Sequence, residues 1–68
     1  MKTITIRDDF IKLGQALKLA GEVDTGAEAK ELILAGKVFV NGETETRRGR
    51  KCVPGDRITV QGEEIEIK

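Results

Sequence analysis

The sequence has 68 residues, with 12 basic and 12 acidic side chains and a formal net charge of zero. Its 38% hydrophobic and 35% charged residues are typical of a folded chain, and this length fits one domain with a small core. There is no histidine, which removes the commonest general base and metal ligand. We therefore expect residues 1–68 to form a single non-enzymatic domain without a cofactor or a metal.

The single cysteine, Cys52, excludes an internal disulfide and indicates a reducing compartment. The first six residues lack the apolar segment of a signal peptide. No run approaches the roughly 20 apolar residues that a membrane span needs. These features predict a cytoplasmic monomer with no membrane partner.

The first third of the chain predicts one strand and one helix. Thr3–Ile6 alternates polar and apolar residues, which favours a short strand. Asp8 or Asp9 is predicted to cap the following helix, which Gly21 ends. Helical spacing is shown by its apolar positions, Phe10, Leu13, Leu17 and Ala20.

A second helix is predicted to begin after Thr25. The Thr25 hydroxyl and the Glu28 carboxylate have the spacing of a capping box, and Gly36 is placed to end the helix in a left-handed conformation. Its buried stripe is predicted to contain Ala29, Leu32 and Ile33. The two helices would form a helix-turn-helix-like pair.

The second half has the patterns of short strands joined by tight turns. Asn41-Gly42 is a strong hairpin signal, and Pro54-Gly55-Asp56 is typical of a type II turn. Strands are predicted at 38–40, 43–46, 57–60 and 64–67. The fold class is therefore α+β, a helix pair on a small antiparallel sheet with an added amino-terminal strand.

The positive charge is concentrated in one run. Residues 37–51 hold five basic and two acidic side chains, and most of this excess comes from Arg47, Arg48, Arg50 and Lys51. Arginine forks match phosphate geometry, so the run is a candidate phosphate-binding loop. The alternative is a solvated loop whose arginines pair with Glu43, Glu45, Glu63 or Glu64.

Three motifs occur in a characteristic order: Ala29-Lys30-Glu31-Leu32-Ile33, then Val38-Phe39-Val40-Asn41-Gly42, then Pro54-Gly55-Asp56. Together they resemble the S-four RNA-binding domain, also called the alpha-L motif. Residues 25–30 and 45–51 further resemble the small stand-alone members of that family, of the YaaA and YbcJ type.

The resemblance implies a protein that binds structured ribosomal RNA and has a role in ribosome assembly or maintenance. By the same resemblance, four side chains are expected to contact RNA: Lys12, Lys30, Lys37 and Asn41. Two positions depart from the family pattern, because many members have Asp in place of Gly14 and Arg in place of Gly26. The loss of that Arg removes one expected phosphate contact, which the basic run is placed to replace.

Two questions stay open at the level of sequence. Phe39 could stack on a base or pack beneath the amino-terminal strand. The chain could also be a protein-interaction adaptor without RNA affinity, using the hairpin and the exposed Leu34. No small-molecule substrate is expected, since no Gly-rich strand-to-helix motif is present.

Overall fold

The computed structural model describes all 68 residues and confirms the α+β class. Seven strands and two helices follow one another as β1 (Lys2–Ile4), β2 (Ile11–Lys12), α1 (Leu13–Leu19), α2 (Gly26–Leu34), β3 (Val38–Val40), β4 (Glu43–Thr44), β5 (Lys51–Cys52), β6 (Arg57–Val60) and β7 (Glu63–Ile67). Five strands form one sheet in the order β1-β7-β6-β3-β4, and β2 pairs separately with β5. Neither helix is long and apolar enough to cross a membrane.

The main sheet is mixed, which corrects the prediction of an antiparallel one. β1 runs parallel to β7, with Thr3 opposite Glu66, whereas every other strand pair is antiparallel. Parallel neighbours need a long connection, and here nearly the whole chain separates the two strands. The strand predicted at Thr3–Ile6 instead spans Lys2–Ile4.

The core lies between the helices and one face of the sheet. Alternate residues of the central strands are fully buried there, because successive strand side chains point to opposite faces: Val38, Val40, Ile58, Val60, Ile65 and Ile67. Leu13, Leu17 and Ile33 meet them from the helices. The Cys52 thiol lies in the same core, and its burial raises its pKa to about 11, as expected of a structural cysteine.

The local signals around α2 are confirmed. The Thr25 hydroxyl accepts the Glu28 N–H at 3.1 Å, and Gly36 ends the helix with φ +75°. Of the predicted stripe, Ala29 and Ile33 are fully buried and Leu32 is half-buried. The turn at Asn41-Gly42 has positive φ at both residues, as a type I′ hairpin requires.

The start of α1 differs from the prediction. The helix begins at Leu13, its N-cap is Lys12, and Phe10 lies outside it with 36% of its surface exposed. The reason is nonlocal: residues 11–12 pair with residues 51–52, so they adopt a strand conformation before the helix begins. Asp8 and Asp9 therefore cap nothing.

The alternative in which Phe39 packs beneath the amino-terminal strand is wrong. Phe39 lies on β3, and two strands, β6 and β7, separate it from β1. Its side chain occupies the sheet face away from the core, half-buried, between Thr44 and Thr59 in the strand register.

Candidate nucleic-acid interface

The small β2–β5 sheet brings two lysines together. In its register Lys12 is directly opposite Lys51, and Ile11 is opposite the buried Cys52. Like charges directly opposite each other on a sheet destabilise it. No carboxylate forms an ion pair with either lysine, so the fold leaves two neighbouring cations available to an anion.

The basic run before β5 is attached to the amino terminus of α1. The first free amides of the helix, those of Leu13 and Gly14, donate to the carbonyls of Arg50 and Arg48 at 2.8 and 3.1 Å. The Arg50 N–H in turn donates to the Arg47 carbonyl, closing a turn with Arg48 and Gly49 at its tip. These bonds satisfy helix donors that no side chain caps. The run is thus a fixed part of the fold.

A buried carboxylate holds the two ends of that turn. Glu45 accepts hydrogen bonds from Arg47 Nε and Nη2, from Arg50 Nη1, and from the backbone amides of Thr46 and Arg47, all between 3.0 and 3.2 Å. The side-chain hydrogen bond from Arg47 is the largest cause that lowers the pKa of Glu45 to about 2, although burial opposes it. The same hydrogen bond raises the pKa of Arg47. The alternative in which the arginines pair with glutamates is therefore correct for Arg47 and Arg50, which both pair with Glu45.

Cationic side chains from three segments meet in a groove of about 290 Å³, here called the cationic groove. Three of the residues that line it are cations and none is a carboxylate. The full lining is Lys12, Gly14, Gln15, Lys18, Gly26, Arg48 and Gly49. An all-polar concavity adjoins it through the shared Gly49, lined also by Arg47, Arg50 and Lys51. We call the four cations here that form no ion pair, Lys12, Lys18, Arg48 and Lys51, the basic face.

Lys18 was missed by the sequence reasoning. Its only local signal is that it follows Gly14 by four residues, which places both on one side of α1. That side of α1 forms part of a cationic groove only because the turn at Arg48 lies against it. Arg48 and Gly14 are more than 30 positions apart in the sequence.

The departure at Gly14 has a steric explanation. A Cβ atom at this position would lie 2.9 Å from Arg48 Cγ, closer than real contacts allow. The glycine thus permits Arg48 to lie against the start of α1 and reach the cationic groove. An aspartate at the same place would need a different position of the Arg48 side chain.

The second departure, Gly26, leaves the amino terminus of α2 open at the cationic groove. Thr25 occupies the amide of Glu28, and the Gly26 and Ala27 amides have no partner within the helix. No atom outside its neighbours lies within 4 Å of a Cβ added at Gly26. Lys30 is exposed one turn further on the same side of α2.

Two of the residues carried over from the resemblance lie elsewhere. Lys37 lines a separate groove with three carboxylates, those of Glu22, Glu28 and Glu31, on the side of α2 away from Gly26. Lys37 therefore lies apart from the cationic groove.

The Asn41 side chain connects two turns of the sheet. Its Nδ2 donates to Asp56 Oδ1 at 3.0 Å, and its Oδ1 accepts the Arg57 N–H at 2.9 Å. Asp56 also accepts the Val53 N–H, so the hairpin tip and the Pro54-Gly55-Asp56 turn support each other. These bonds give Asn41 a structural role.

Comparisons with known proteins give the family of the chain. The sequence profile of the S4 domain matches residues 4–68. The chain belongs to the S4 domain family. The family resemblance inferred from the three motifs is thereby confirmed.

Two relatives of similar length and one much longer relative match most of this chain. A Bacillus subtilis protein named "Probable ribosome maturation protein RlbA" is 42% identical over 59 residues, covering 87% of this chain and 83% of the relative. The Escherichia coli protein named "Putative RNA-binding protein YbcJ" is 37% identical over 57 residues, covering 84% and 81%. The "Small ribosomal subunit protein uS4m" of Schizosaccharomyces pombe is 35% identical over 54 residues, which is 79% of this chain but 16% of that protein.

Proposed function

We propose that this S4 domain is a non-enzymatic RNA-binding protein that contacts ribosomal RNA through its basic face. The observation that carries the proposal is the cationic groove, where Lys12, Lys18 and Arg48 meet without a carboxylate. A chain of zero net charge has no general attraction for RNA, so this local concentration of unpaired cations is what would attract phosphates.

Each part of the interface has a separate task in the proposal. Lys12, Lys18, Arg48 and Lys51 contact phosphates directly, and the free amides at the amino terminus of α2 add a partial positive charge. Arg47 and Arg50 hold the turn in position through Glu45. Lys30 extends the surface along α2, while Lys37 and Asn41 lie outside the interface. Phosphate contacts of this kind fix the orientation of the RNA without reading its sequence.

The relatives support a ribosomal target. Two proteins named for ribosome maturation or for the ribosomal subunit share this sequence pattern, and another is named for RNA binding. We propose that the protein acts as a single 68-residue domain, as a cytoplasmic monomer, during ribosome assembly or maintenance.

The adaptor alternative has less support. Leu34 is 62% exposed, as that alternative requires, but single exposed leucines are common on protein surfaces. The hairpin tip at Asn41-Gly42 is exposed and polar. Neither feature explains why the basic face contains four unpaired cations.

Sedimentation and binding experiments test the proposal. The protein should co-sediment with ribosomal particles and be released by nuclease treatment. A variant with Lys12→Gln, Lys18→Gln and Arg48→Gln should bind ribosomal RNA at least about tenfold more weakly at near-physiological salt, because three phosphate contacts are lost.

The matched control removes three positive charges elsewhere, with Lys37→Gln, Arg57→Gln and Lys68→Gln. It should bind within about threefold of the parent, since its changes lie outside the basic face. Equal losses in both variants would show a response to net charge alone. Nuclease-resistant sedimentation would instead support the adaptor alternative.

A further inference from the structure

A second groove, of about 660 Å³, lies between the segment before β2 and helix α1. We call it the apolar groove, because Ile6, Phe10, Ile11 and Leu19 line it. Phe10 and Leu19 are 36% and 59% exposed, and they are two of the five large hydrophobic residues exposed on this chain. The fold therefore leaves an aromatic ring and an aliphatic side chain uncovered in one concavity.

The apolar groove is continuous with the cationic groove. Gln15 and Lys18 line both of them. Phe10 is also joined to the basic face on its other side, because Lys51 Nζ lies 4.8 Å from the centroid of its ring. Lys51 does not itself line the apolar groove.

We propose that the apolar groove receives an unpaired nucleobase of the bound RNA, stacked on Phe10. The proposal rests on the proposed RNA-binding function. Successive phosphates in RNA carry a base between them, so a strand with phosphates on Lys12 and Lys18 would bring a base to the adjoining groove. A base has flat apolar faces and a polar edge, and the groove offers the matching surfaces.

The polar lining fits such a ligand. Gln15 and Thr5 offer donors and acceptors to a base edge, and the groove contains two cations, Arg7 and Lys18, against one carboxylate, Asp8. A base that is paired in a duplex cannot enter the groove. The groove would thus favour single-stranded or looped RNA over duplex RNA.

Fluorescence tests the stacking directly. The chain has no tryptophan or tyrosine, so a Phe10→Trp variant carries a single reporter at the groove. A Phe39→Trp variant provides the comparison, because Phe39, on the outer face of the sheet, is the other aromatic residue on which a base could stack. The probes are a single-stranded RNA of about 12 nucleotides and an abasic strand of the same length and charge.

The proposal predicts that the RNA quenches the reporter at position 10 and not the one at position 39. The abasic strand should bind through charge and leave both unquenched. In addition, Phe10→Leu should weaken binding of the single-stranded RNA by about fivefold to hundredfold, with little effect on the abasic strand. Circular dichroism melting checks that each variant is folded.

Two results would overturn the inference in distinguishable ways. Salt-sensitive RNA binding without quenching at position 10, and with Phe10→Leu binding like the parent, would refute the stacked base and leave the proposed function intact. An absence of RNA binding by the parent protein would refute both.

Discussion

The basic run contains two pairs of cations with different surroundings. Arg47 and Arg50 both contact the buried Glu45; the Arg47 side chain is 75% exposed and the Arg50 side chain 30%. Arg48 and Lys51 form no ion pair, and each lies in a groove or against an aromatic ring. The comparison shows that neighbouring residues of one chemical type can divide into a pair that shapes a segment and a pair that is available to a ligand.

The geometry of the turn explains this division. Arg47 and Arg50 are its first and last residues, so one carboxylate beneath the turn reaches both. Arg48 is at the tip, away from that carboxylate, and lies against Gly14 of α1. A carboxylate placed beneath a cationic turn thus fixes its shape without neutralising the side chain at its tip.

The largest effect is expected when the structural pair loses its carboxylate. Glu45→Gln should lower the free energy of unfolding by about 2 kcal/mol, because the buried carboxylate accepts five hydrogen bonds, three of them from the charged guanidinium groups of Arg47 and Arg50. Denaturant unfolding followed by circular dichroism measures it. Glu43→Gln, at an exposed position without an ion pair, is the control and should stay within about 0.5 kcal/mol of the parent. Equal stability of both variants would contradict the structural role of Glu45.

The same carboxylate predicts a dependence of stability on pH. Its pKa in the folded protein is about 2, below its ordinary value of 4.5, so the unfolded chain takes up the proton more readily. The stability that Glu45 contributes is therefore fully present above pH 4.5 and is lost as the pH falls toward 2. The melting temperature of Glu45→Gln should fall less than that of the parent over this interval. A parallel fall in both proteins would show that other groups cause the acid sensitivity.

The smallest effect concerns the basic face and has the opposite sign. Lys12→Met should raise the stability of the free protein by about 0.5 kcal/mol, because it removes a like-charge pair across β2 and β5. It should also weaken RNA binding. Lys12→Arg keeps the charge and should do neither. A loss of stability in Lys12→Met would indicate that the lysine supports the fold.

Local signals predicted much of this molecule. The cap at Thr25, the stop at Gly36 and the turns at Asn41-Gly42 and Pro54-Gly55-Asp56 each depend on a few adjacent residues. Such features are set by backbone conformations that only certain residues adopt easily, so a short stretch of sequence contains the necessary information.

The features that sequence reasoning missed depend on distant parts of the chain. Asp8 or Asp9 has the sequence position of a helix cap. The helix nevertheless begins later, because residues 11–12 pair with residues 51–52 as a strand. Lys18 gains significance only from the turn attached beside it. In each case a contact across the sequence decides the role, and no local pattern records it.

The salt dependence of RNA binding tests the division of the basic run most directly. Two double variants with the same change in charge are compared. One combines Arg48→Gln and Lys51→Gln, and the other combines Arg47→Gln and Arg50→Gln. Both are measured at a temperature where circular dichroism shows them folded. For the first, the slope of log affinity against log salt should flatten by about 1.5, since each lost phosphate contact contributes roughly 0.7 to 0.9. For the second, the slope should change by less than half as much. Equal flattening in both would contradict the account and show that the four cations act together.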